Sequence, residues 1–119
     1  MTGKEVLTTR IGTTGKVELR DGSNRRGSIP NYGGVNPSGD GFSWAIASGR
    51  SGFSKTESMA INATAAALRQ AERNRITSIV RTELDMPDFM PTDLDYSVAD
   101  GFTIDGEPWR QWLDAMTMD

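Results

Sequence analysis

The sequence predicts an α+β fold: a small antiparallel sheet with a long Ala-rich helix packed on it, a short C-terminal hairpin and an amphipathic C-terminal helix. Three observations predict it. Lys16-Val17-Glu18-Leu19-Arg20 alternates strictly, and period-two alternation is the mark of a strand with one buried face. Phe42-Ser43-Trp44-Ala45-Ile46-Ala47-Ser48 puts Phe42, Trp44 and Ile46 on one side of a second strand and small residues on the other. Ile61, Ala65, Leu68 and Ala71 recur at helical spacing in a run rich in Ala, the best helix former. A chain of 119 residues fits one domain, so residues 1–119 are read as a single unit.

The elements follow in order. Glu5 to Ile11, rich in Val and Thr, pairs across a Gly12–Gly15 turn with the strand Lys16 to Arg20. Asp21 to Gly41 holds six Gly and two Pro and reads as a long irregular stretch. After the strand Phe42 to Ser48, Gly49-Arg50-Ser51-Gly52 turns the chain. Ser54 and Glu57 have the S-x-x-E spacing of a capping box, so the helix is expected to start at Ser54. Ile76, Ile79, Val80 and Leu84 continue the helical spacing, with a break allowed near Asn74 and an end before Pro87. Met86 to Pro91 reads as a linker. Asp100-Gly101 between Tyr96–Ala99 and Phe102–Ile104 is a two-residue hairpin signal. Pro108 suits a first helical position, with Trp109, Trp112, Leu113 and Met116 on one face of the last helix. The core is expected around Trp44, Trp109, Trp112, Ile61, Leu68, Ile76 and Ile79.

Charge divides the chain into two parts. Residues 1–81 carry twelve Lys/Arg and six Asp/Glu, a balance of +6, whereas residues 82–119 carry one Lys/Arg and ten Asp/Glu, a balance of −9. Such asymmetry speaks to partners. The chain has no Cys, which excludes disulfides, thiol catalysis and Cys-ligated zinc. It has no His, the commonest general base and a usual metal ligand. The expectation is therefore a non-catalytic chain, with no catalytic residue, metal or cofactor assigned. No apolar run approaches the ~18 residues of a membrane span, and the N-terminus lacks the apolar stretch of a secretory signal, which gives a cytoplasmic expectation.

Gly49-Arg50-Ser51-Gly52-Phe53-Ser54-Lys55-Thr56 approaches the phosphate-binding pattern G-x-x-x-x-G-K-S/T, but Ser54 stands where the second Gly must let the backbone approach a phosphate. A plain turn into a capped helix is the preferred reading. Lys4, Arg10, Lys16, Arg20, Arg25 and Arg26 form a basic set on the hairpin and following loop, with Tyr32 as a stacking platform; such a set can neutralise phosphates, dock the chain's own acidic half or be merely solvated. Spaced carboxylates among aromatics, as in Asp88, Asp93, Asp95, Asp100 and Asp105, are unlike a disordered acidic tail and could imitate the phosphates of nucleic acid. Asp93-Leu94-Asp95 lacks the spacing and Gly of an EF-hand. Trp109 and Trp112 belong either to the core or, with Arg25 and Arg26, to an alternative partner-binding surface.

Two resemblances add to this reading. Phe42 to Ala71 resembles the final strand–turn–helix of double-stranded-RNA-binding domains, although the lysine row at that family's helix start is reduced here to Lys55 beside Glu57. Small size, absence of His and Cys, a lone Gly-rich β-α unit and a strongly acidic half together resemble small phage-encoded accessory proteins of the anti-CRISPR inhibitor type. Several of those show an aromatic strand, a short turn and an Ala-rich helix, as in Phe42 to Ile46 followed by Ser54 to Ala71. The second resemblance implies an inhibitor in the host cytoplasm that binds a nucleic-acid-handling protein complex, with no membrane partner. Direct RNA or DNA binding through the basic hairpin and a phage structural or assembly role remain the alternatives.

Overall fold

A computed structural model describes residues 6–19, 32–98 and 100–118. Five strands form an antiparallel meander in chain order: β1 (Val6–Ile11), β2 (Thr14–Leu19), β3 (Gly33–Ser38), β4 (Gly41–Ile46) and β5 (Ser51–Ser54). The long helix α1 (Glu57–Leu84) packs across β2 to β5. A 3-10 turn (Pro91–Asp93) then leads into a second antiparallel sheet of β6 (Asp95–Ser97), β7 (Gly101–Ile104) and β8 (Glu107–Pro108), and α2 (Trp109–Thr117) closes the chain. The predicted α+β class and the sheet-plus-helix arrangement are present. Among the described residues no helix is long and apolar enough to cross a membrane.

The molecule is elongated, 55 × 26 × 21 Å, because α1 serves both sheets. Its 28 residues span ~42 Å at the α-helical rise. One end covers the meander, where Val17, Leu19, Val35 and Ile46 meet Ala60, Ala65 and Leu68; the other reaches the C-terminal unit, where Ile76 and Val80 share a core with Phe89, Leu94, Phe102, Ile104, Trp112 and Leu113. Leu68, Ile76 and Trp112 are buried as expected, whereas Trp44, Trp109, Ile61 and Ile79 are half-buried at the core's margin. The buried stripe of α1 also includes Thr64 and Thr77, whose hydroxyls donate to the Ala60 and Arg73 carbonyls one turn earlier at 2.7 Å each. Bonded in this way, a hydroxyl can be buried without an unmet donor.

Several sequence expectations need correction. The irregular stretch Asp21–Gly41 contains β3, from Gly33 to Ser38. Gly33 and Pro37 disguise this strand. A Cβ on Gly33 would lie 2.4 Å from Thr64 Cγ2 and 3.0 Å from the Ala45 carbonyl oxygen, so Gly lets α1 approach the sheet. Pro37 is tolerated because β2 pairs with β3 only at Gly33–Val35, leaving Pro37 with a strand neighbour on one side. The segment expected to be a turn and cap, Gly49–Ser54, is largely β5, and Ser51–Ser54 pair with Phe42–Ala45. Backbone amides laid into such a ladder do not form a phosphate cradle.

The cap of α1 is therefore Thr56, not Ser54. Its hydroxyl accepts from the Met59 amide at 3.1 Å, and Glu57 follows in the first turn. Thr56→Ala is expected to cost about 1 kcal/mol and Ser54→Ala much less, a difference read from denaturant midpoints; equal losses would contradict this assignment. The helix runs without interruption past Asn74 and ends at Asp85, in the left-handed region at φ 51°, before Pro87. The stretch read as a linker buries Phe89 and includes the start of the 3-10 turn.

In the C-terminal unit the β6–β7 connection spans residues 98–100, and Gly101 belongs to β7 opposite Ser97. The tight two-residue hairpin is instead Asp105-Gly106, between the paired Ile104 and Glu107. Both turn residues have positive φ, 53° and 83°, the type I′ geometry for which Asp-Gly is suited. Pro108 is the N-cap of α2, one residue before the expected position.

Candidate functional site

The five aspartates expected to form the partner-binding surface are all exposed. Asp88 follows Pro87 in a turn closed by the Phe89 amide donating to the Met86 carbonyl at 3.2 Å. Asp93 is fixed by its own turn, since its Oδ2 accepts from the Met90 amide at 2.9 Å. Asp95 opens β6, opposite Thr103. The Asp100 amide donates to Ser97 Oγ at 3.0 Å, and Asp105 occupies the type I′ turn.

Strand register separates these residues into two groups. Asp95 pairs at the level of Thr103, and the Asp105-Gly106 turn joins β7 to β8 just beyond. Asp93, Asp95 and Asp105, together with Glu107 at the start of β8, thus share one end of the small sheet. Asp100 lies at the other end, by the β6–β7 turn. With strands about 4.8 Å apart, Asp95 and Glu107 are roughly two strand spacings, about 10 Å, from each other. The group is spread out: among the described residues no three acidic side chains converge to hold a metal ion. Glu107 was not among the expected site residues; its signal was the Asp105-Gly106 dipeptide, overlooked in favour of Asp100-Gly101.

What leaves these carboxylates exposed is the way α1 holds the C-terminal unit. Arg73 Nη1 donates to the carbonyl of Pro91 at 3.2 Å and also to that of Leu94, and its guanidinium lies 5.7 Å from the Phe102 ring centroid. Arg81 Nε donates to the Phe89 carbonyl at 2.7 Å. These helix arginines hold the acidic unit through backbone carbonyls, not through its carboxylates. Among the described residues no ion pair engages Asp88, Asp93, Asp95, Asp100, Asp105 or Glu107.

The alternative surface is dispersed. Arg25 and Arg26, like Lys4 and Arg20, lie outside the described residues. Arg10 pairs with Glu57 at 3.0 Å, which ties β1 to the start of α1. Lys16 Nζ sits 5.0 Å from the ring centroid of the exposed Tyr32. Trp112 is buried against Phe89, with ring centroids 6.2 Å apart. Trp109 is half-buried and carries the Arg110 guanidinium 4.4 Å from its ring centroid. Neither tryptophan thus offers a bare aromatic face like that of a free interface anchor. No family model, no curated protein and no solved structure matches the chain.

Proposed function

We propose that the protein is a non-catalytic binding module that presents the acidic end of its C-terminal sheet to a basic protein groove, one that normally holds nucleic acid. The observation that carries this reading is the use of Arg73 and Arg81 on backbone carbonyls, which leaves Asp93, Asp95, Asp105 and Glu107 exposed on paired strands and tight turns. Carboxylates held by ordered backbone form a fixed pattern of negative charge, which favours complementary docking over simple solubilisation. Together with the resemblance to phage accessory proteins, this supports an inhibitor of a host nucleic-acid-handling complex of the CRISPR-defence type. The engagement of Arg10 by Glu57 weighs against direct RNA or DNA binding by the hairpin.

The test begins with capture of the target from a bacterial lysate and continues with association kinetics. Asp95→Asn, Asp105→Asn and Glu107→Gln together remove three charges while leaving the turn made by Asp93 intact; Asn tolerates the left-handed conformation of residue 105. Association is expected to slow about tenfold at low ionic strength, and its salt dependence to flatten, with the melting temperature unchanged. Association insensitive to both salt and the triple substitution would reject the reading. Concentration-dependent sedimentation of the isolated protein would favour an assembly role instead.

A further inference from the structure

Between α1 and the turn that joins β4 to β5 lies an open groove of about 500 Å³. That volume is in the range of small-molecule sites. Its base includes Ile46 and Ala67, both buried. Its walls carry two cations, Arg50 from the turn and Arg75 from the helix.

Arg75 is held in a particular orientation. Glu72 is 1% exposed, and its two carboxylate oxygens accept from Arg75 Nε at 2.7 Å and Nη2 at 2.6 Å. Hydrogen bonding to Glu72 raises the Arg75 pKa further above its ordinary value, against partial desolvation. A buried ion pair adds little net stability over an apolar pair of the same size, so its main consequence here is positional. The guanidinium also lies 5.8 Å from the Trp109 ring centroid. Nε and Nη2 are engaged, while Nη1 makes no hydrogen bond among the described residues.

The remaining polar lining is rich in donors. Gln70 Nε2 donates to Asn74 Oδ1 at 3.0 Å, which directs the Asn74 amide nitrogen away as a further donor. Ser78 adds a hydroxyl on the same helix. Among the described residues no carboxylate lines the groove, and the Glu72 carboxylate behind Arg75 is already bidentate. We propose that this groove binds a small organic anion, a phosphate or carboxylate carried on an apolar body that covers Ile46 and Ala67. Arg50 and the Nη1 edge of Arg75 receive the charge, and Glu72 is the positioning residue for Arg75. This goes beyond the acidic surface and does not depend on it.

The probes are phenyl phosphate, phenylacetate, inorganic phosphate and the neutral benzyl alcohol, titrated into the ¹⁵N-labelled full chain. At least one aromatic anion is expected to shift the amides of 46–50 and 70–78 saturably with a Kd of about 1 mM or tighter. Inorganic phosphate binds more weakly and benzyl alcohol does not saturate; whichever anion binds better identifies the head group. Arg50→Gln weakens binding about tenfold. Glu72→Met with Arg75→Met removes the pair without stranding a buried charge, and abolishes saturable binding while circular dichroism is unchanged. The proposal is overturned if no anion shifts these amides, if benzyl alcohol binds as well as the anions, or if both variants bind like the parent chain.

Discussion

Gly33→Ala is expected to lower stability by about 2–3 kcal/mol, a large loss for the addition of one methyl group. The new Cβ would stand 2.4 Å from Thr64 Cγ2, 3.0 Å from the Ala45 carbonyl oxygen and 3.2 Å from Ile46 Cγ2. Two of these neighbours cannot yield easily. The Ala45 carbonyl belongs to the β4 backbone, and Thr64 is fully buried with its hydroxyl committed to the Ala60 carbonyl. Relief requires α1 to move away from β3, which loosens the contacts of Ala60, Ala65 and Leu68 with the sheet. Gly34→Ala is the internal control. The Cβ there would meet only Thr14 Cγ2, at an ordinary 3.5 Å, and a Gly-to-Ala change in a strand even reduces the entropy of the unfolded chain. Urea midpoints for the two variants should therefore differ clearly, with Gly34→Ala close to the parent protein. Equal midpoints would mean that the helix does not rest on Gly33.

The same residue shows what the sequence could and could not reveal. Strands with alternating side chains were legible: β2 buries Gly15, Val17 and Leu19 at every second position, and β4 was placed within two residues of its ends. The Ala-rich run correctly gave a long helix close to a sheet. β3 was not legible because its local composition, Gly33-Gly34 and Pro37, reflects tertiary demands rather than strand propensity. One glycine makes room for α1, and the proline sits beyond the reach of β2. Local rules choose the residue with the best intrinsic preference, and here packing against a distant element decided. The cap moved from Ser54 to Thr56 for a related reason, since pairing with Phe42 draws Ser54 into β5. Of the candidate site, the acidic character of residues 82–119 was plain in the composition. Which carboxylates share an end of the sheet depended on placing the type I′ turn at Asp105-Gly106, and two Asp-Gly pairs competed for that role. The groove between Arg50 and Arg75 joins residues 25 positions apart, a proximity with no local sequence signal.

Arg73→Met is expected to cost about 3 kcal/mol, with the loss concentrated in the C-terminal unit. Met preserves much of the apolar stem and the helix propensity, so the effect isolates the guanidinium. That group donates to the Pro91 and Leu94 carbonyls and lies 5.7 Å from the Phe102 ring centroid. The Pro91 carbonyl retains the Leu94 amide as a partner at 3.2 Å, so it is not left unmet. The Leu94 carbonyl loses the Arg73 guanidinium as its charged donor, and Leu94 itself is fully buried. A hydrogen bond to a charged group is worth about 1.5–3 kcal/mol, and the lost cation–π contact adds to that. Because the contacts are confined to the turn before β6 and to β7, the damage should be regional. Hydrogen exchange is expected to show faster exchange of the Phe102–Ile104 amides, with Val35 and Ile46 in the meander nearly unchanged. The outcome also bears on the acidic surface. If Arg73 fixes the backbone that presents Asp93 and Asp95, Arg73→Met should weaken target association although Arg73 touches neither carboxylate. If exchange accelerates uniformly along the chain, the two sheets open as one unit and Arg73 is an ordinary core support. If neither exchange nor stability changes, the carbonyls of the Pro91–Leu94 turn find other donors, and the helix does not hold the acidic unit in the manner described.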